Sequence, residues 1–255
     1  MPVFPQITSY PLIRQLNLRT LRNESADGST VTYSDSYARV RAWELEAKGL
    51  TGAEWTVVEA FFRSVSGPWQ TFTFLDPAGN LLADSEDFGT GAWTNGPLIQ
   101  LTAGAADPFG TTRATRAVNS GQAAQAVAQT LQVPGNYEYA MSVWARTSAG
   151  SNLTLNAANE SRTFPLTTQW QRISFSVNPG QNTAAVTFSA QLDPGASADL
   201  FGMQVDAQKA PSEYKKTGTN GGVYLKARFA ANAFTVTARS TDVYDASIRI
   251  VSTEI

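Results

Sequence analysis

The chain has 255 residues, of which 42% are hydrophobic and 16% charged, with a formal net charge of −2. That is enough apolar material for two modest cores, and it leaves no cationic excess to hold nucleic acid or anionic lipid. Cysteine and histidine are both absent, which removes disulfides, thiolate nucleophiles, the usual zinc sites and the commonest general base at neutral pH.

In chain order, Leu12 to Arg22 reads as extended, Asp27-Gly28 as a turn, and Arg39 to Ala47 as a strand that places Trp43, Leu45 and Ala47 on one face. Thr51-Gly52-Ala53-Glu54 fits a capping box, with Leu50 and Trp55 placed for a hydrophobic staple. Trp55, Val58, Phe61, Phe62 and Val65 then recur at helical spacing until Gly67-Pro68 ends the run. This helix is expected to cover a sheet. Trp69 to Leu75 is the next strand, with Phe72 and Phe74 on one face, and it runs into the turn composition Asp76-Pro77-Ala78-Gly79-Asn80.

The character changes over residues 81–217, which are rich in Ala, Thr, Ser and Gln and full of short alternating stretches. It reverts in three strands, Val223 to Phe229, Phe234 to Arg239 and Tyr244 to Ile250, too few to stand alone. They are expected to complete the sheet begun before residue 80. The predicted organisation is therefore an outer domain at 1–80 and 218–255, interrupted at a hairpin tip by an inserted domain at 81–217. The fold class is mainly β: a β-sandwich or barrel with one flanking helix, interrupted by an inserted β jelly-roll sandwich.

No run approaches the roughly 18 apolar residues of a membrane span, and Met1-Pro2-Val3-Phe4-Pro5 lacks the regions of a signal peptide. Synthesis and folding in the cytoplasm without membrane insertion is the expectation.

Two resemblances bear on function. Leu50-Thr51-Gly52-Ala53-Glu54-Trp55 with Phe61-Phe62, Gly67-Pro68-Trp69, Phe72-Thr73-Phe74-Leu75-Asp76-Pro77 and Val223-Tyr224-Leu225-Lys226-Ala227-Arg228-Phe229 resemble the N-terminal ring domain of phage distal tail proteins and their tail-tube relatives. Leu81-Leu82-Ala83-Asp84-Ser85-Glu86-Asp87-Phe88 with Ala92-Trp93-Thr94, Tyr139 to Arg146, Thr168 to Arg172, and Phe201 to Asp206 with Pro211-Ser212-Glu213-Tyr214 resemble the jelly-roll modules of carbohydrate-binding families 4 and 9. The first resemblance implies a non-enzymatic virion protein of the bacterial-virus tail tip or baseplate. Its copies would form a ring, six by resemblance, between tail tube and tail tip, with DNA passing through the lumen without specific binding. The second implies weak adhesion to host-surface glycans.

Alternation sorts the faces of the insert. Tyr137, Tyr139, Met141 and Val143, then Leu153 and Leu155, then Ile173, Phe175 and Val177 are expected to face the core. Trp144, Arg146, Asn156, Arg172 and Gln204 fall on the opposite faces, and on one concave sheet they would form a groove with an indole to stack on a sugar and polar groups for its hydroxyls. The alternative is that Trp144 packs under a loop and the polar residues solvate an outer face.

Glu86, Asp87 and Asp199, with Asp206, sit near the module's ends, where the relatives often hold a structural calcium; no other cofactor is implied. No catalytic residues are marked: a glycosidase needs two carboxylates roughly 5 to 10 Å apart across a cleft, and nothing in the sequence singles out such a pair. Two other readings stay open, a free glycan-binding or glycoside hydrolase accessory protein, and a ring protein whose insert is purely decorative.

Overall fold

The computed structural model describes residues 1–7, 11–180 and 182–254, the side chains of 36–38 and 254 excepted. In chain order the elements are β1 (Leu12–Glu24), β2 (Thr30–Leu50), α1 (Gly52–Ser64), β3 (Phe72–Leu75), β4 (Thr94–Asn95), β5 (Ile99–Ala105), β6 (Ala114–Asn119), β7 (Gln125–Leu131) and β8 (Tyr139–Arg146). There follow β9 (Asn152–Ala157), β10 (Glu160–Pro165), β11 (Gln171–Val177), β12 (Val186–Leu192), β13 (Ser197–Asp206), β14 (Val223–Phe229), β15 (Thr235–Ser240) and β16 (Val243–Glu254). The molecule is mainly β, with α1 the one helix among the described residues. It divides into two compact units: unit 1 is Met1–Phe74 with Tyr224–Ile255, and unit 2 is Leu75–Val223.

Unit 1 is a sheet of order β1-β2-β16-β14-β3, with β15 also paired to β16. The alternating faces read from the sequence meet residue for residue: Ala47 lies opposite Ala246, Leu45 opposite Ile248, and Trp43 opposite Ile250. All six are buried, so this face carries the core. Thr51 caps α1 reciprocally with Glu54: the threonine Oγ accepts from the Glu54 N–H at 3.2 Å, and the Glu54 carboxylate accepts from the Thr51 N–H at 2.9 Å. Val58 is fully buried, as is Val65 just past the helix, while Trp55, Phe61 and Phe62 pack partly buried against the same core.

The helix ends as Ser66 and Gly67 both turn to positive φ. Phe4 adds a ring that the alternation did not single out. It packs against Phe61, Phe72, Phe74 and Phe229, because residues 2–4 run alongside β3 with backbone hydrogen bonds to Thr73.

Unit 2 consists of two five-stranded antiparallel sheets, β10-β9-β12-β7-β4 and β11-β8-β13-β6-β5. Their inward side chains make one core, with Tyr139, Met141 and Val143 from β8, Leu153 and Leu155 from β9, Ile173, Phe175 and Val177 from β11, and Phe188 from β12. Residues 75–80 and 218–223 fall with this unit, tied in by backbone bonds of Asp76 to Gly222, Gly222 to Asn80 and Leu81 to Val205. The Asn80 amide donates to the Met203 and Lys215 carbonyls and its oxygen accepts from the Leu82 and Val205 N–H groups, which spends its polar capacity on this closure. A Cβ at Gly221 would lie 2.1 Å from the Leu81 carbonyl oxygen, so only glycine allows the two segments to come this close.

Candidate functional site

The sheet β11-β8-β13-β6-β5 turns one face to the core and one away from it. On β8, Met141, Val143 and Ala145 are fully buried inward, which turns Ser142, Trp144 and Arg146 outward. Register sets Arg172 of β11 directly beside Trp144, and Ser174 beside Ser142. On the other flank Asp199 of β13 lies opposite both Arg146 and Arg116, and Phe201 lies opposite Trp144. Phe201 faces outward by ordinary alternation with the inward Leu200, and the register shift after it, at Gly202 with φ +62, returns Met203 and Val205 to the core.

The far half of this face is roofed. Residues 212–215 fold back over it: Ser212 donates from its hydroxyl to Asp206 at 2.7 Å, and the Lys215 N–H donates to the Gln204 side-chain oxygen at 2.7 Å. Gln204 also donates its amide to Asp206 at 2.8 Å and is fully buried. Its expected place in a groove is therefore corrected: the amide anchors the returning tail and has no capacity left for a ligand.

The near half is flanked by the loop after β5. Asp107 accepts from the N–H groups of Phe109 at 2.8 Å, Thr111 at 3.1 Å and Arg113 at 3.2 Å, and from the Thr111 hydroxyl. Burial works to raise its pKa, but these donors together outweigh it and hold the carboxyl at about 2. The loop so fixed presents Phe109 with its ring 5.8 Å from Trp144 and 5.7 Å from Phe201, both edge to face, while 57% of Phe109 stays exposed. Trp144 thus does pack beside a loop, yet it remains partly exposed. The Arg146 guanidinium lies 4.8 Å from the ring centre of Trp170, which is also partly exposed.

Two arginines on this face share one carboxylate. Asp199 accepts from Arg116 at 2.8 and 3.2 Å and from Arg146 at 3.0 Å; burial would raise its pKa, and the two guanidinium groups bring it below the usual carboxylate value. Arg172 differs. It donates to the Ser142 hydroxyl at 3.0 Å and has no carboxylate partner among the described residues. Its Nε–H, like the indole N–H groups of Trp144 and Trp170, is shielded and meets no acceptor among the described residues. Three unmatched donors in neighbouring side chains are unusual where buried polar groups are normally paired.

Of the residues expected to form one groove, the structure gathers Trp144, Arg146 and Arg172. Asn156 is corrected to the other sheet, where its neighbours Leu155 and Ala157 face the core and its amide donates to Ser189 at 3.1 Å. The carboxylates considered for calcium do not form an oxygen cage. Glu86 binds Arg113 at 2.9 Å and Lys216 at 2.7 Å, Asp199 binds the two arginines, and Asp87 accepts from Gly89 N–H at 3.0 Å. Among the described residues no group of three or more acidic side chains comes together to hold a metal ion. Phe109 escaped the sequence reading. The available signal was Asp107-Pro108-Phe109-Gly110, an Asx-type turn that lifts an apolar ring out of the chain.

No model of a known protein family matches the chain, and no curated protein does. Solved structures are similar to about half of it. The structure of TmCBM61 in complex with β-1,4-galactotriose matches at 11% identity and TM-score 0.39, over 51% of this chain and 99% of that one. The CBM22-1 xylan-binding domain of Paenibacillus barcinonensis Xyn10C matches at 15% identity and TM-score 0.43, over 53% and 99%. The enzymatically active domain of bacteriophage CBA120 tailspike protein 4 matches at 11% identity and TM-score 0.41, over 53% of this chain but only 22% of that one. At such identities and scores, any ligand of this chain has to be argued from its own residues.

Proposed function

We propose that unit 2 is a non-catalytic glycan-binding module whose site is the near half of the outer β11-β8-β13-β6-β5 face. The observation that carries this reading is the grouping of Phe109, Trp144 and Trp170, all at least partly exposed, around Arg146 and Arg172. Aromatic rings of this kind offer faces to the C–H surface of a pyranose, and guanidinium N–H groups donate to its oxygens. Binding requires no proton transfer and no nucleophile. Calorimetric titration of the full chain with a panel of neutral and acidic oligosaccharides tests the reading. Saturable binding that Phe109→Ala and Trp144→Ala each weaken supports it, and silence across the panel defeats it.

A second reading concerns unit 1, that copies of the chain assemble through it into a ring, six-membered by resemblance, at the tail tip of a virion, between tube and tip proteins and around the path of the DNA. The β1–β2 hairpin favours self-assembly: Ile13, Leu16, Leu18, Leu21, Val31 and Tyr33 are each more than 40% exposed. Apolar side chains concentrated on one projecting pair of strands suit a protein interface better than solvent. Light scattering distinguishes the readings. A concentration-stable oligomer supports assembly, and a monomer leaves a free glycan-binding protein.

A further inference from the structure

The outer face of β11-β8-β13-β6 carries an uneven charge account. Three guanidinium groups, Arg116, Arg146 and Arg172, stand against the single carboxylate Asp199, and the other outward acid, Asp206, is matched by Lys215 at 3.6 Å. The strand β5, next in the sheet, adds only Gln100 and Thr102 to this face. Two positive charges are left over, in a chain whose net charge is −2. The excess centres on Arg172, since Arg146 and Arg116 both lean on Asp199.

We infer that the ligand of this face carries a carboxylate, as a uronic-acid-containing glycan does, and that Arg172 receives it beside Trp144. The inference rests on the glycan-binding reading above and adds the ligand's charge to it. A neutral sugar would use the aromatic surfaces of Phe109, Trp144 and Trp170 but would leave the excess charge uncompensated. A carboxylate sets two acceptor oxygens against the guanidinium fork of the partly exposed Arg172, for which a planar bidentate pair is the preferred geometry. Trp144 is its cross-strand neighbour, so the ring of the same sugar lies within reach of the indole. Arg146 is held against Trp170 and Asp199, with its charge already set against that carboxylate.

The test titrates the full chain calorimetrically with three trisaccharides: galacturonic acid trisaccharide, neutral galactotriose and a sulfated galactotriose, at low and at high salt. The galacturonate trisaccharide is expected to bind about tenfold or more tighter than the neutral one at low salt, with the gap narrowing as salt rises. Arg172→Gln is expected to remove that advantage, and Arg172→Lys to restore part of it. Arg162→Gln, which changes the net charge equally but lies on β10 of the other sheet, is expected to keep it.

Equal affinity for the acidic and neutral trisaccharides overturns the inference while leaving the glycan-binding reading standing, and absence of binding to all three overturns both. Tighter binding of the sulfated sugar, or an equal loss in Arg162→Gln and Arg172→Gln, shows unspecific anion attraction and also overturns it. Thermal unfolding of each variant separates a lost contact from a lost fold.

Discussion

Trp43 on β2 and Ile250 on β16 are register partners, both fully buried, although all of unit 2 lies between them in the sequence. β16 sits between β2 and β14, so the sheet of unit 1 cannot close without the last strand of the chain. Ile250→Ala removes a buried side chain against an indole and is expected to destabilise unit 1 by about 2 to 5 kcal/mol. A chain ending before Val243 should fail to form that sheet at all. Denaturant titration followed by Trp43 fluorescence, with the other tryptophans replaced, reads both. A truncated chain that still buries Trp43 would contradict the topology.

The same pair shows what was legible in the sequence. The alternation of Trp43, Leu45 and Ala47, and of Ala246, Ile248 and Ile250, is a local signal of period two, and the capping box at Thr51 and Glu54 is local too. Gln204 and Asn156 were misplaced because their surroundings are set at long range. Nothing near Gln204 announces that residues 212–215 fold back over it, and nothing in β9 says which of two sheets it joins. Phe109 was missed since a loop has no period; its position depends on Asp107 gathering four donors.

Gln204 should accordingly behave as a structural residue. Replacing it with alanine strips hydrogen bonds from Asp206, Ser212 and Lys215 inside a closed space, at a cost of roughly 1 to 3 kcal/mol for the groups left unpaired. Gly202→Ala should act on the same tail, because its Cβ would meet the Tyr214 ring at 2.9 Å and its φ of +62 disfavours any other residue. Both variants are expected to lower the unfolding midpoint of unit 2 and to raise protease sensitivity between residues 207 and 217. Unchanged protection of that segment would show that the tail is held by other contacts.

Asp107 supplies a pH prediction whose sign follows from its depressed pKa. The carboxyl is held at about 2 in the folded chain against an ordinary value of 3.8. Its stabilising charge is therefore fully present above about pH 4 and is lost as pH falls through about 2. Protection of the Phe109, Thr111 and Arg113 amides, taken as exchange relative to the intrinsic rate at each pH, is expected to be lost across this window, and Asp107→Asn should show little protection already at neutral pH. Since the loop carries Phe109, ligand affinity should fall in step with it. Protection factors at these three amides that stay the same between pH 5 and pH 2 would remove Asp107 as the organiser of the loop.

Leu21 and Tyr33 test assembly through the hairpin. They are cross-strand partners on β1 and β2, exposed by 42% and 54%. Side chains of this size facing water gain about 25 cal/mol for each Å² that a second copy covers, so the pair suits the centre of an interface. The double variant Leu21→Glu, Tyr33→Glu sets two like charges directly opposite each other on that surface, a choice an interface tolerates far worse than solvent does. The folded core of unit 1 is untouched, because neither residue packs into it. Light scattering is expected to report an oligomer for the parent chain and a monomer for the double variant, with a cooperative thermal transition showing that the monomer keeps its fold. An oligomer that survives both substitutions would remove the hairpin as the contact.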